Sequence, residues 1–196
     1  MSDYILGIDP GTTETAYCLC RVCTIQEYCR PLKIEQFAKI SNEEMVEVLL
    51  VILETMAERR NNITVAIEHL ESYGMAVGKS TFETAYFIGR LTEIASNSRY
   101  SDMVEVTRIY RHEEKDTICH SMKANDATIK QALVDEFADE PSVNHGKGSK
   151  KNPDYFYGFK ADCWSAFAIC YTQYMKYLLE DMAIQEEEEE KEELEY

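Results

Sequence analysis

The chain has 196 residues, 45% of them apolar and 29% charged, with a formal net charge of −16. That length suits one domain with a substantial core, and no apolar run approaches the roughly 18 residues of a membrane-spanning helix, so no membrane partner is expected. Residues 186–196 hold eight Glu and one Lys, which puts −7 of the charge there and −9 on the rest; such a body is unsuited to coating nucleic acid nonspecifically, although a few well-placed cations still suffice for a local track.

Residues 4–9 (Tyr-Ile-Leu-Gly-Ile-Asp) read as a buried strand that ends on Asp9, and Pro10-Gly11 follow at once. Pro10 fixes one φ and Gly11 permits a left-handed or crowded backbone, so the carboxylate has no slack behind it. A carboxylate in such a place is costly unless a cation meets it. Two partners fit: a divalent metal ion and the Mg²⁺-phosphate group of a nucleotide. Residues 15–20 read as a second strand, antiparallel to the first, and residues 33–38 as a third. Ser41 and Glu44 form a capping box that opens a helix to about Arg60, with Met45, Val48, Leu49, Ile52 and Met56 on one face. Residues 63–67 are a buried strand that delivers Glu68. A helix follows from about Val77 to Ser98, with Phe82 expected in its core and Tyr73, in the glycine-containing loop before it, expected at the surface. Residues 103–107 make a short strand, and Asn125 or Asp126 caps a helix to about Phe137. Residues 138–152 are polar and Gly-rich and predict a mobile loop. A last, strongly apolar helix runs from about Lys160 past Tyr177. The sum is an α/β fold: a mixed five-stranded sheet, three antiparallel strands followed by parallel ones, with helices on both faces. Residues 1–184 form one domain and residues 185–196 an acidic tail expected to be disordered.

Two strands thus emit carboxylates, Asp9 and Glu68, and a third acid, Asp162, falls in the first turn of the terminal helix. The helix macrodipole favours an acid there in any case. All three arriving at element ends between apolar flanks points to a shared site. Oxygen ligands of this kind suit Mg²⁺ or Mn²⁺ and not zinc. Two such ions activate water and stabilise the leaving oxygen of a phosphodiester, with Asp9 bridging and Glu68 and Asp162 each completing one ion.

Gly7-Ile8-Asp9-Pro10-Gly11, Ile67-Glu68, and Asp162 leading an Ala-containing terminal helix resemble the RuvC-type Holliday-junction resolvases of the RNase H-like nuclease superfamily. The stretches around Ile129-Lys130-Gln131 and Tyr157–Ala166 look most like phage-encoded or Firmicute-type members. The resemblance implies a homodimeric, Mg²⁺-dependent endonuclease, with Mn²⁺ able to substitute, that cuts four-way DNA junctions symmetrically and needs no nucleotide cofactor. It also implies that Asp9, Glu68 and Asp162 are metal-binding acids. Family members commonly carry a further acid where this chain has Ser165, so the usual four-acid site is in question. Asp154, Glu71 or an ordered water are the candidates for the gap. A catalytically inactive junction-binding protein is one alternative. Another is an actin-like nucleotide-binding protein, whose phosphate loop the Asp9–Thr13 stretch also resembles, although no second loop of that kind occurs here.

Cations placed to meet DNA phosphates are Arg111, Lys130, Lys147, Lys150, Lys151 and Lys160, with Tyr73 as a base contact. His69 should face away from Glu68 by the strand pleat. Seven cysteines, several in apolar stretches, suggest reduced thiols and a cytoplasmic setting, as does an N-terminus without a basic leader region. Cys20 and Cys23 have half of a zinc spacing but no second pair downstream.

Overall fold

A computed structural model describes residues 2–23, 30–71, 74 and 76–194, with side chains to residue 186. Its elements are β1 (Tyr4–Pro10), β2 (Glu14–Val22), β3 (Leu32–Ser41), α1 (Asn42–Glu58), β4 (Ile63–His69), α2 (Lys79–Ser96), β5 (Val104–Tyr110), α3 (Arg111–Cys119), α4 (Asp126–Phe137) and α5 (Cys163–Leu194). The strands make one sheet in the order β3-β2-β1-β4-β5. The pairs β1–β2 and β2–β3 are antiparallel, and β1–β4 and β4–β5 parallel. The expected mixed sheet is therefore present.

The period-two alternation of the central strands builds two cores, one on each face. Ile5 of β1, Cys18 and Cys20 of β2 and Ala66 of β4 join a cluster with α4 and α5. Leu6, Ile8, Tyr17, Val65 and Ile67 join the other, with α1 and α2. Both faces of β1 are covered, which accounts for its unbroken apolar text. Gly7 faces α5, and a side chain there has no room: a Cβ would lie 2.2 Å from the Ala166 carbonyl oxygen and 2.7 Å from Cys170 Sγ. The absence of that side chain lets α5 cross close over β1 and brings its N-terminus near Asp9.

Several boundaries differ from the sequence reading. α1 has the expected Ser41–Glu44 capping box, and the Asn125 side chain caps α4 by accepting from the Thr128 N–H. α5 starts at Cys163 and not near Lys160. Before it, Phe156 and Phe159 are fully buried and pack on Phe167 and Trp164, so their side chains belong to the core although their backbone is irregular. The loop predicted to be mobile is pinned through Asp154, whose carboxylate accepts from the N–H groups of Asp139, Glu140 and Tyr155. Phe82, expected in the core, is 64% exposed, and Phe87 takes the buried position. Where the sequence predicts a disordered tail, α5 continues as helix to Leu194; Glu is a good helix former and the segment grows out of an existing helix. α3 has no counterpart in the sequence reading. Among the described residues no helix is long and apolar enough to cross a membrane.

Candidate active site

The site lies where the C-terminal ends of β1 and β4 meet the start of α5. These two parallel strands are paired through Gly7–Ala66 and Ile8–Ile67, and the next step of that register sets Asp9 beside Glu68. Each lies two residues beyond one that faces α5, Gly7 in β1 and Ala66 in β4, so both carboxyls lie on the α5 side of the sheet. His69 projects to the opposite face, against the Tyr110 ring at 5.4 Å between centroids, as the pleat predicts.

Asp9 and Glu68 thus stand side by side, close enough for each carboxyl to act on the other. Ser165 lines the same groove as Asp162 and acts weakly on Asp9, against its upward shift. Burial, reinforced by the Asp9 charge, pushes Glu68 up to about 9. Asp9 is raised as well, first by burial and then by the nearby Asp162, against the lowering effect of Glu68. Two buried carboxyls side by side are short of positive charge. Asp162 immediately precedes α5, and its backbone carbonyl accepts from the Ala166 N–H. It therefore occupies the N-cap position and not the first turn. Its carboxylate pairs with Lys39 of β3 at 2.7 Å, and Lys39 in turn reaches Glu14 at 3.2 Å.

Sequence reasoning missed Glu114. This residue is fully buried on α3, one oxygen accepts from Arg111, and Arg111 also pairs with Asp126 of α4. Burial pushes Glu114 up to about 7 despite Arg111, and the Asp9 charge contributes. The signal in the sequence was Tyr110–Glu113, a capping-box spacing directly after a strand. Tyr110 cannot serve as the side-chain partner that a Ser or Thr provides, so the spacing was easy to pass over.

Neither residue named for the missing acid and placed by the structure fills the gap unaided. Asp154 is committed to its loop N–H groups, which hold it below the usual carboxylate range against the effect of burial. Glu71 pairs with His112 Nδ1 at 2.7 Å.

A groove of about 320 Å³ opens beside the acids, lined by Arg111, Asp126, Lys130, Lys147, Asp162, Trp164 and Ser165 among others. The Lys130 ammonium stands 4.9 Å over the Trp164 ring, an arrangement that holds its charge over the groove. Arg111 lines the same groove while paired to two acids. Lys150, Lys151 and Lys160 are exposed and do not line it. Tyr73 lies outside the described residues. The zinc spacing Cys20–Cys23 makes no donor set. Cys18, Cys20 and Cys170 instead bring their sulfurs within 4.8 Å of one another in the sealed core. Cys170 Sγ there accepts from the Gly7 N–H at 3.1 Å and donates to the Cys18 carbonyl at 3.1 Å, so it is in use as the hydrogen-bonding spacer of the close β1–α5 crossing.

The strand order, the mixed directions and the helix-covered faces define an α/β protein with the RNase H-like fold. Among solved structures, the chain is similar to Thermus thermophilus RuvC, at 17% identity over 86% of this chain and 92% of that one, with a TM-score of 0.56. It is similar also to T. thermophilus RuvC in complex with Holliday junction substrate, at 14% identity over 86% and 91%, with a TM-score of 0.57. The resemblance to RuvC-type resolvases read from the motifs therefore extends to the fold of nearly the whole chain. No family profile matches the sequence, and no curated protein matches it.

Proposed function

We propose that the protein is a metal-dependent, structure-selective DNA endonuclease that resolves four-way junctions by hydrolysing phosphodiester bonds. The observation that carries this reading is the Asp9–Glu68 pair, two buried carboxyls at adjacent strand ends with Asp162 acting on Asp9 from the start of α5. The donor set is all oxygen and lacks a full complement of positive charge, which fits Mg²⁺, with Mn²⁺ as a substitute. Asp9, Glu68 and Asp162 hold the ions in this reading, with Asp9 bridging. When bound, the ions supply an activated water and charge stabilisation for the leaving oxygen. The chain's own residues do the rest. Asp9 and Glu68 are fixed by the register of β1 and β4, and Lys39 holds Asp162 in place beside them. Lys130 and Lys147 meet phosphates in the groove. Arg111, and the exposed Lys150, Lys151 and Lys160 with Tyr73, extend contact to the arms of branched DNA. A homodimer would present two such sites to the two strands cut, and such an enzyme would work in the cytoplasm of a bacterium, a phage-encoded origin included.

The direct test is incubation of the purified protein with Mg²⁺ or Mn²⁺ and a synthetic four-way junction, with duplex, flap and RNA–DNA hybrid in parallel. Paired symmetric nicks in the junction, and little cutting of the others, are expected. A second reading, a junction-binding protein without nuclease activity, is favoured by Ser165, a poor metal ligand where a further acid would be useful. Binding of the junction with no cutting under either metal would select it. Tight ATP binding without nuclease activity would select the actin-like alternative.

A further inference from the structure

We propose that Glu114, standing on α3, is a fourth carboxylate of the metal site and supplies the oxygen ligand that Ser165 cannot; this deepens the metal-dependent reading above and rests on it. Glu114 is 0% exposed. One of its oxygens accepts from Arg111, while Oε1 is buried without a hydrogen-bond partner among the described residues. An unpartnered buried carboxylate oxygen is among the costliest arrangements in a protein interior. Local structure does not explain it. The start of α3 is capped by Glu113, which accepts from the Tyr110 N–H at 2.7 Å and pairs with Lys176 at 2.6 Å. Glu114 is therefore not needed as a cap: within its own helix it pairs with Arg111 through one oxygen, and that leaves Oε1 unexplained.

Its surroundings supply the reason. The charges of Asp9 and Glu114 act on one another, and Glu114 acts on Glu68, so α3 brings a third carboxyl to the pair made by β1 and β4. Arg111 is the cation beside this group, and Asp126 shares it. Lys39 is taken by Asp162 and Glu14. The positive charge in place falls short of the negative charge of these acids, and Glu114 Oε1 is left without a partner among the described residues. A divalent cation coordinated by oxygen makes up both deficits at once. Arg111 then acts as the positioning residue, fixing one oxygen of Glu114 and leaving the other for the ion.

The test is Mn²⁺ binding to the full chain, followed by electron paramagnetic resonance of free Mn²⁺ and by calorimetry, with no DNA present. Wild type should bind, and Asp9→Asn should abolish the tightest site. Glu114→Gln should weaken Mn²⁺ at least tenfold, with metal-free Tm unchanged or higher. Asp135→Asn, on the exposed face of α4 where its carboxylate accepts from Gln131, should stay within about twofold of wild type. Since Ser165 lines the groove together with Asp162, Ser165→Asp in the Glu114→Gln background should recover part of the affinity. If Glu114→Gln binds Mn²⁺ as wild type does while Asp9→Asn does not, the assignment of Glu114 is overturned and the metal-site reading stands. If wild type binds no Mn²⁺, both fall. Should Glu114→Gln fail to fold, Glu114→Asp is held to the same criterion, with a loss of at least threefold expected and wild-type affinity overturning the proposal.

Discussion

Asp9 shows how far single residues could be read. An aspartate at the end of an apolar run, locked by Pro10-Gly11, has one physical reading, a carboxylate delivered to a fixed point, and two chemical ones. The structure narrows the choice by placing Glu68 against it in the register of two parallel strands. If the pair holds metal, Asp9→Asn keeps the shape of the site and removes a ligand. Junction cleavage should then fall by at least about 10³-fold, some 4 kcal/mol of barrier, while junction binding in a gel-shift assay stays within a few-fold of wild type. Cleavage within tenfold of wild type would rule out Asp9 as a ligand. Asp9 and Glu68 stand out as candidates because each sits where an apolar strand stops, and Asp162 because it stands where the apolar part of α5 begins. Glu114 does not, because its neighbours Arg111, His112, Glu113 and Lys115 are all polar and no pattern marks one of them as buried. Its burial is decided by α3 packing against α4 and α5, which no local window contains.

At the scale of elements, regular periodicity was read correctly and packing geometry was not. α1 shows its apolar face and its capping box openly. α3 is too short and too polar to show a face, and the segment before α5 is irregular backbone carrying core aromatics. Gly7 is the clearest case of an element's position resting on one residue. A Gly7→Ala methyl would meet the Ala166 carbonyl and the Cys170 sulfur, so α5 must move off β1. Overpacking of this kind costs about 1–3 kcal/mol, a Tm fall of about 3–10 °C, and it carries Asp162 and Ser165 away from Asp9. Activity should therefore drop more than stability does, measured below Tm on the same preparation. On α2, Phe82 and Tyr86 are 64% and 79% exposed, one turn apart on the same stripe. Exposed aromatics grouped in this way suit a partner surface, and α2 is the natural seat for the proposed homodimer. Light scattering should give a dimer, and Phe82→Glu with Tyr86→Glu should give a monomer that nicks junctions without paired incision. A wild-type monomer at micromolar concentration would remove α2 from that role.

Across the whole molecule, the mixed sheet was legible because strands buried on both faces and helices with apolar stripes leave few alternatives. What could not be read is that the fold stores an electrostatic cost at one end of its sheet. Burial raises Asp9, Glu68 and Glu114 above their ordinary range, with Glu68 near 9 and Glu114 near 7. The folded chain therefore holds more protons than the unfolded chain between about pH 4.5 and those values, and folding stability must decline as pH rises through that window. Asp154 and Glu44 are shifted the other way, below the usual carboxylate range; the stability they add is lost only as pH falls through their lowered values, outside that window. In EDTA, Tm should fall from pH 5 to pH 9, and Glu68→Gln should flatten the slope and raise Tm at pH 8 by about 3 °C or more. With Mg²⁺ or Mn²⁺ present the wild-type slope should level or reverse, because the ions compete with protons for the same oxygens and stabilise the form that binds them. Comparing wild type with Glu68→Gln isolates these carboxyls from every other titrating group. Equal slopes for the two in EDTA would mean that the buried acids are not where the molecule's instability resides, and the reason for a cation at this site would lapse with it.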